Sequence, residues 1–311
     1  MLGDISYTPE EVAKILKISK YTVYEMIKRG ELAAYRIGRK VRIEESDLER
    51  YKQSFKSCPP PLTKTTVKSE ENQPNIQDGL IICGQDIVLD VLTRHLEKRI
   101  PNSRFLRRYN GSIDGLLALY HGVVNVATAH LWDSDTGEYN TPYVRRFLPG
   151  HRTLIYNLVY RMAGFYVTKG NPFQIKDWID LTRPEIRLVN RECGSGARVL
   201  LDEKLRILNI DHSLIKGYDR EESSHLAVAS YVARGDSDVG VGIEKAALQV
   251  PDIEFVPLQK ERYDLIIRKE DMTSPAIEAI LNIINSPELR KEIGGMGGYD
   301  ITDMGKKMGE V

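Results

Sequence analysis

The stretch Thr8-Pro-Glu-Glu-Val-Ala-Lys-Ile-Leu-Lys-Ile-Ser19 decides how the first part of this chain folds. Thr8 suits the N-cap of a helix, proline suits the first helical position, and Glu11 completes a capping box. A second helix is expected from Ser19 after a very short turn, with Gly30 as its stop. Two short helices joined by a tight turn predict a helix-turn-helix. The residues expected to be buried recur at helical spacing: Val12, Ile15, Leu16, Val23, Met26 and Ile27.

A basic hairpin follows the two helices. Residues 34–43 alternate apolar and charged side chains, which predicts two strands with a turn near Gly38 and Arg39. We expect Arg36 and Arg42 to project from the face opposite the core, and a third helix to start at Ser46. The side chains expected on the core face are Tyr35, Ile37, Val41 and Ile43.

Basic, hydroxyl and aromatic side chains of this module are candidates for DNA contacts. Lysines contact phosphates, hydroxyls reach phosphates or base edges, and a basic hairpin lies along the backbone or enters a minor groove. The alternative is a small adaptor domain whose charges form only a solvated surface. The candidate DNA-binding residues are Lys20, Tyr21, Thr22, Tyr24, Lys28, Arg36, Arg39, Lys40 and Arg42.

Charge and composition support a local basic surface. The 311-residue chain has no net charge, whereas residues 1–56 hold 12 basic and 9 acidic residues, a net charge of +3. No apolar run approaches the roughly 18 residues of a membrane span, and the N-terminus lacks the features of a signal peptide. The three cysteines are not spaced like zinc ligands and are interpreted as free thiols. We therefore expect a cytoplasmic protein without membrane contact.

The motifs of residues 6–52 resemble the excisionase-type (MerR-like) winged helix-turn-helix. The resemblance rests on Tyr-Thr-Pro-Glu-Glu-Val-Ala-Lys-Ile-Leu-Lys-Ile-Ser, Thr-Val-Tyr, Ile-Lys-Arg-Gly-Glu-Leu and Arg-Ile-Gly-Arg-Lys-Val-Arg-Ile. It implies a DNA-binding domain over residues 1–56 whose partner is a double-stranded operator. One such module covers a half-site, so a homodimer is expected.

The rest of the chain divides into a linker and a larger domain. Residues 57–78 contain three consecutive prolines and few large apolar groups, which is typical of a linker. From residue 79 to 311, short apolar strands alternate with amphipathic helices, which predicts an α/β domain with mostly parallel strands. The predicted elements are strands at 80–83, 123–129, 186–190 and 238–243, and a helix over 86–99.

Small and hydroxyl residues recur where strands of this domain end and helices begin. Four such places are residues 83–86, 110–115, 190–198 and 223–225. Backbone N–H groups and the positive end of the helix dipole favour anions there, although most such residues cap only their own helix. Several of them around one cleft would hold a tetrahedral oxyanion with neutral donors. Arg198, His130 and Tyr263 are further candidates, each with an equally simple packing or pairing role.

Five motifs of this domain carry a resemblance: Asn-Gly-Ser-Ile-Asp-Gly-Leu-Leu-Ala-Leu, Ala-His-Leu-Trp-Asp-Ser-Asp-Thr-Gly-Glu-Tyr-Asn, Asn-Arg-Glu-Cys-Gly-Ser-Gly-Ala-Arg-Val-Leu-Leu-Asp, Ser-His-Leu-Ala-Val-Ala and Gly-Gly-Tyr-Asp. With them, roughly residues 79–305 resemble the periplasmic-binding-protein-like domain of molybdate/tungstate-responsive regulators. The resemblance implies a multidomain chain whose second part is a two-lobed, type II α/β fold with molybdate or tungstate in the cleft. Carried over by position, the contacts are Gln85, Ser112, Ser195, Gly196 and His225. Gln85 departs from related oxyanion binders, which often have serine there.

Three functions are compatible with these features. The first is a one-component regulator in which oxyanion binding changes operator affinity. The second is an oxyanion storage or delivery protein with a protein-binding N-terminal module. The third is an enzyme on a two-lobed scaffold, which lacks support because no nucleophile–base pair or metal cluster is evident in the sequence. We expect no catalytic residues, no organic cofactor and no metal besides that of the oxyanion.

Overall fold

The computed structural model describes residues 6–16, 19–28, 32–38, 40–48, 51, 79–101 and 103–311. The chain divides into two compact units, residues 1–72 and 73–311. The linker predicted over residues 57–78 lies outside the described residues.

The first unit is a helix-turn-helix followed by a hairpin. Its described elements are β1 (Ser6–Tyr7), α1 (Pro9–Leu16), α2 (Lys20–Lys28), β2 (Tyr35–Ile37) and β3 (Lys40–Glu44), with a further helical turn over residues 45–48. The three strands form one antiparallel sheet in the order β1-β3-β2. Helices and hairpin are therefore arranged as a winged helix-turn-helix requires.

Both helix starts predicted from the sequence are confirmed. The Thr8 amide donates to the Glu11 carboxylate at 2.7 Å, and the Glu11 amide donates to the Thr8 hydroxyl at 3.3 Å, which completes a capping box. Ser19 caps α2 by accepting a hydrogen bond from the Thr22 amide at 3.1 Å. These side chains satisfy amide groups that have no partner within the helix, so the two helices begin where they do.

The core of this unit is small and apolar. Two expected members are absent. Ile15 is 41% exposed. Tyr35 is 39% exposed and lies opposite Arg42 in the ladder, so it shares a face with that arginine and not with Ile43. Opposed residues of an antiparallel pair point to the same side of the sheet, and the sequence alone did not fix this register. Among the described residues, the buried members of this core are Val12, Ala13, Val23, Met26, Leu32, Ile43 and Leu48.

The second unit is built on one large mixed sheet. Its order is β5-β4-β6-β11-β7-β10-β8-β9, with β12 pairing to β7. The strands are β4 (Leu80–Cys83), β5 (Phe105–Arg108), β6 (Val126–Ala129), β7 (Thr153–Thr168), β8 (Leu188–Arg191), β9 (Glu221–Glu222), β10 (Val239–Ile243), β11 (Ile253–Arg268) and β12 (Lys307–Glu310). The α-helices are α3 (Ile87–Arg99), α4 (Ser112–Tyr120), α5 (Thr141–Phe147), α6 (Gly196–Ile207), α7 (His225–Ala233), α8 (Glu244–Ala247), α9 (Pro275–Ile284) and α10 (Pro287–Gly295).

Two 16-residue strands, β7 and β11, connect two lobes of this unit. The first lobe contains β4, β5 and β6, and the second contains β8, β9 and β10. β7 and β11 pair antiparallel along their whole length; their first-lobe ends carry β6 and β12, and the second-lobe end of β7 carries β10. The outer pairs β4–β5, β4–β6, β8–β10 and β8–β9 are parallel, as expected. The prediction of mostly parallel strands is wrong for the centre of the sheet. There β7 and β11, which we call the crossing strands, are antiparallel.

Candidate functional site

A small cavity lies in the cleft between the two lobes. Its volume is about 20 Å³, which suits a small ion or molecule and not a drug-sized ligand. The starts of four helices meet there: α3 and α4 from the first lobe, α6 and α7 from the second. The lining residues are Gly84, Gln85, Asp86, Asn110, Gly111, Ser112, Thr128, His130, Arg161, Arg191, Ser195, Gly196, His225 and Tyr263.

Two buried serines offer hydroxyl donors to this cavity. Ser112 Oγ accepts a hydrogen bond from the His130 amide at 3.4 Å, and Ser195 Oγ accepts one from the Arg198 amide at 3.3 Å. Among the described residues, neither hydroxyl donates a hydrogen bond. Each O–H hydrogen is therefore available to a ligand that accepts hydrogen bonds.

His225 is placed beside the positive charges of the cavity. Its Nδ1 is fully buried and has no hydrogen-bond partner among the described residues. Burial holds the pKa of His225 well below its usual range, and the charges of Arg191 and Arg161 act in the same direction. A buried ring nitrogen without a hydrogen-bond partner lowers the stability of the protein. A ligand that forms a hydrogen bond to it would remove this cost and thereby bind more tightly.

A buried ion-pair network spans the middle of the crossing strands. Arg161 on β7 donates to Glu261 on β11 at 2.8 Å and to Asp86 at 2.5 Å. Glu261 is also 3.0 Å from His130 Nδ1. Burial alone would raise the pKa of Glu261, but Arg161 and His130 outweigh it and lower the pKa to about 2. Burial lowers the pKa of His130 more than the Glu261 carboxylate raises it.

Further contacts fix the orientation of this network. Tyr299, near the C-terminal end, donates its hydroxyl to Asp86 at 2.8 Å, and Asp86 also caps α3 through the Val88 amide at 2.8 Å. The Arg161 guanidinium lies 4.1 Å from the centre of the Tyr263 ring. Arg161 is therefore held by Glu261, Asp86 and the Tyr263 ring, and Asp86 is held by three donors.

Arg191 contributes the second cation of the cavity. Its Nε and Nη2 donate to the two carboxylate oxygens of Glu192, each at 2.7 Å. Nη2 also donates to Gln85 Oε1 at 2.8 Å. No described residue accepts a hydrogen bond from Nη1 of this buried arginine. Nη1 is therefore a charged donor that remains available at the cavity wall.

The lobes approach closely at the cavity. The Ile113 amide of the first lobe donates to the Gly194 carbonyl of the second at 3.0 Å. A Cβ on Gly111 would lie 3.1 Å from Ser195 Cα, and a Cβ on Gly196 would lie 2.4 Å from the His130 ring. Glycine at position 196 therefore leaves room for the imidazole, and the cleft is closed in this structure.

The structure gathers most of the candidate ligand-binding residues at this cavity. Gln85, Ser112, His130, Ser195, Gly196, His225 and Tyr263 line it, whereas Arg198 does not. The Arg198 guanidinium instead pairs with Asp202 at 3.1 Å and Glu221 at 3.0 Å, and lies over the Tyr218 ring.

Three charged lining residues were not among the candidate contacts: Arg161, and also Asp86 and Arg191, which lie within two of the four predicted places. The expected cage of neutral donors is therefore incomplete, because two arginines line the cavity.

The structure describes only some of the candidate DNA-binding residues. Lys20 is exposed and pairs with Glu10, Tyr24 is 42% exposed, and the Thr22 hydroxyl is 2.7 Å from Ser19 Oγ. In β3, Lys40 is exposed and Arg42 is half-buried. Arg39 and the side chains of Tyr21, Lys28 and Arg36 lie outside what the structure describes.

The described ranges lack two kinds of feature. They contain no group of three or more histidine, cysteine, aspartate or glutamate side chains able to hold a metal ion. None of their helices combines the length and the apolar character that a membrane span requires.

Comparison with protein families separates the two units. A model described as a helix-turn-helix domain matches residues 6–56, and a model described as a PBP superfamily domain matches residues 93–285. The chain is 42% identical over 302 residues to the uncharacterized protein YvgK of Bacillus subtilis (strain 168), covering 97% of each chain. It is also 53% identical over 113 residues to an uncharacterized Clostridium pasteurianum protein, covering 36% of this chain and 100% of that protein.

Solved structures share the fold of the second unit. A substrate-binding protein from Clostridium perfringens with bound phosphate aligns with a TM-score of 0.54 at 14% identity, covering 72% of this chain and 99% of the other. The sulfate-binding protein SubI from Mycobacterium tuberculosis aligns with a TM-score of 0.54 at 14% identity, covering 71% and 85%. The regulatory domain of the LysR family regulator MetR from N. meningitidis aligns with a TM-score of 0.51 at 11% identity, covering 71% and 98%. The chain thus belongs to the PBP superfamily and carries an N-terminal helix-turn-helix domain.

Proposed function

We propose that this protein is a one-component transcriptional regulator. Its first unit would bind operator DNA, and the cleft of its second unit would bind molybdate or tungstate and thereby change operator affinity. The fusion of a helix-turn-helix domain to a binding-protein fold supports a DNA-binding role for the first unit and a ligand-binding role for the second. A protein that binds operator DNA works in the cytoplasm, and one small module for each half-site favours a homodimer.

The observation that carries the ligand assignment is the buried, unpartnered Nδ1 of His225. It belongs to a cavity that also presents Nη1 of Arg191 and the free hydroxyl hydrogens of Ser112 and Ser195. Helix N-termini add positive potential at the same place. This combination favours a small anion that accepts several hydrogen bonds at once.

Asp86, which lines the cavity, and Glu261, which bonds to the lining residues Arg161 and His130, favour a fully deprotonated anion. Asp86 accepts from Arg161, Tyr299 and the Val88 amide, and Glu261 is engaged by Arg161 and His130. Each of these oxygens already accepts from at least one protein donor, and these donors compete with a proton-bearing oxygen of the ligand for the remaining lone pairs. Phosphate retains a proton near neutral pH, whereas molybdate, tungstate and sulfate do not. This competition for the carboxylate oxygens therefore supports molybdate or tungstate over phosphate.

A thermal-shift panel with molybdate, tungstate, sulfate and phosphate tests the ligand. We expect the first two to raise the unfolding temperature of the second unit because they bind only the folded state. An equal response to phosphate would contradict the argument from deprotonation. A response to sulfate alone would identify sulfate as the ligand in place of molybdate or tungstate, and it would leave the assignment of the site unchanged.

Serine substitutions test the cavity itself by calorimetry. Ser195→Ala removes one donor, and we expect a loss of about 1–3 kcal/mol in binding free energy. Ser286→Ala is the matched control, because Ser286 caps α10 through the same bond, at 3.3 Å, and does not line the cavity. Wild-type affinity in Ser195→Ala and Ser112→Ala would refute the cleft assignment.

DNA binding is tested with the double variant Arg39→Ala/Arg42→Ala. We expect weaker binding and a flatter salt dependence, because fewer counterions are released. Lys306→Ala/Lys307→Ala, which removes two charges from the second unit, should leave both unchanged. Oxyanion binding without salt-dependent DNA binding in the wild type would favour the storage or delivery protein instead.

A further inference from the structure

Gln85 makes a two-way contact across the cleft. Its Oε1 accepts a hydrogen bond from Arg191 Nη2 at 2.8 Å, and its Nε2 donates to Glu192 Oε1 at 3.2 Å. Gln85 lies between β4 and α3 in the first lobe, whereas Arg191 and Glu192 lie at the end of β8 in the second. The amide therefore bonds to both members of an ion pair on the opposite lobe, with each end of the amide matched to its partner.

This contact reaches the ligand cavity through Arg191. The guanidinium is held by Glu192 on one edge, and its Nη2 is shared with Gln85. These contacts orient the plane that carries the free Nη1. Moving the Gln85 amide away would remove one of the groups that fix this orientation.

A backbone hydrogen bond beside this contact reports whether the cleft is closed. The Ile113 amide lies in the first turn of α4, where no carbonyl of the same helix is available to it. Its acceptor is the Gly194 carbonyl of the second lobe, at 3.0 Å. Protection of the Ile113 amide from solvent exchange therefore depends on closure of the lobes.

We propose that Gln85, Arg191 and Glu192 form an interlobe clasp that holds the cleft closed, and that Gln85 is a positioning residue for Arg191. The effect on ligand binding rests on the proposed function, whereas closure itself does not. Since the clasp groups satisfy one another, they stabilise the closed state before any anion adds its own contacts. Opening the cleft breaks the clasp, so the clasp slows ligand release.

An exchange of the amide and the carboxylate tests the clasp. Gln85→Glu sets a second carboxylate against Glu192 and removes the Nε2 donor. Glu192→Gln alone leaves Arg191 without its carboxylate partner. The double variant Gln85→Glu/Glu192→Gln restores one carboxylate and one amide with the same total charge, so it can rebuild the pairing with the roles of the two positions exchanged. Gln249→Glu is the control for adding a charge, because Gln249 is an exposed residue after α8.

Hydrogen exchange at the Ile113 amide of the full-length, ligand-free protein is the first measurement. We expect exchange to accelerate on the order of tenfold in Gln85→Glu and to return toward the wild-type rate in the double variant. Unchanged exchange in Gln85→Glu would overturn the clasp. Acceleration without recovery in the double variant would overturn the specific pairing, because it would reduce Gln85 to a packing residue.

Stopped-flow dissociation of molybdate is the second measurement. We expect Gln85→Glu to raise the dissociation rate by roughly tenfold, with recovery in the double variant. A dissociation rate that does not change in Gln85→Glu would overturn the link between clasp and ligand. If the wild type binds none of the four oxyanions, the proposed ligand fails, and exchange at the Ile113 amide still decides whether the clasp exists.

Discussion

Replacing Glu261 by glutamine should weaken the second unit more than most single substitutions do. Glu261 is 1% exposed and pairs with Arg161 at the centre of the crossing strands. Its pKa falls from 4.5 to about 2, and each pKa unit corresponds to about 1.4 kcal/mol. The carboxylate therefore contributes about 3 kcal/mol to the free energy of unfolding. Removal of one partner of a buried ion pair costs about 3–5 kcal/mol, which is consistent with this value.

The dependence on pH follows from the sign of that shift. Because the folded-state pKa is lower than the unfolded one, the contribution is fully present above pH 4.5 and is lost as the pH falls toward 2. The difference between wild type and Glu261→Gln should therefore be largest at neutral pH and shrink below pH 4.5. Loss of the carboxylate also leaves His130 Nδ1 with a weaker acceptor.

Urea unfolding of the second unit, followed by circular dichroism at several pH values, measures both effects. Glu270→Gln is the control, since Glu270 is an exposed carboxylate beside Arg268 and His151 and such pairs contribute little. A Glu261→Gln protein with the wild-type midpoint at neutral pH would refute the reasoning. A difference that persists unchanged below pH 3 would show that charge is not its source.

Three further outcomes are expected. Gly196→Ala places a Cβ 2.4 Å from the His130 ring, so it should cost about 1–3 kcal/mol of stability and weaken anion binding, as measured by urea unfolding and calorimetry. Thr8→Ala removes the capping box and should lower the stability of the first unit by about 0.5–2 kcal/mol in thermal unfolding, without a change in the second unit. Because the pKa of His225 is held well below 6.5, wild-type stability should decline as the pH falls below 6.5. His225→Gln should reduce that decline in urea titrations between pH 6.5 and 5.

Local signals explain which parts of the fold were predictable. The Thr8–Glu11 capping box, the Ser19 cap and the apolar spacing of α1 and α2 lie within a few residues of one another, so the sequence contains the whole signal. The register of the hairpin is a pairing between strands, and the expected role of Tyr35 was wrong for that reason.

The crossing strands were missed because their patterns are not those of ordinary strands. β7 is an almost continuous buried run, which periodicity cannot assign, and β11 contains Pro257 and the charged stretch 260–262. Arg161 gave a signal that sequence analysis can use, because an arginine inside a long apolar run must find a buried partner. That partner, Glu261, is 100 residues away in the chain, so only the fold identifies it.

The helix starts show a different limit. The four places where strands give way to helices were recognised, and the structure brings residues from all four to one cavity. Within these places, Asp86 and Arg191 add charge to the site together with Arg161, yet each resembles an ordinary cap or surface residue in the sequence. Arg198 illustrates the reverse case, since its position suggested a ligand contact and its charge is neutralised by Asp202 and Glu221.

The register of β7 and β11 has a mechanical consequence. Irregularities in their ladder lie between Pro257 and Gln259 and between Tyr263 and Asp264, and the Arg161–Glu261 pair lies between these two points. If the lobes rotate about these two points, the Arg161–Glu261 pair stays together, whereas the interlobe contacts of Gln85 and Ile113 separate. We therefore expect the Arg161–Glu261 pair to remain formed in the open protein. The anion would then enter and leave through the loss of the interlobe contacts of Gln85 and Ile113 alone.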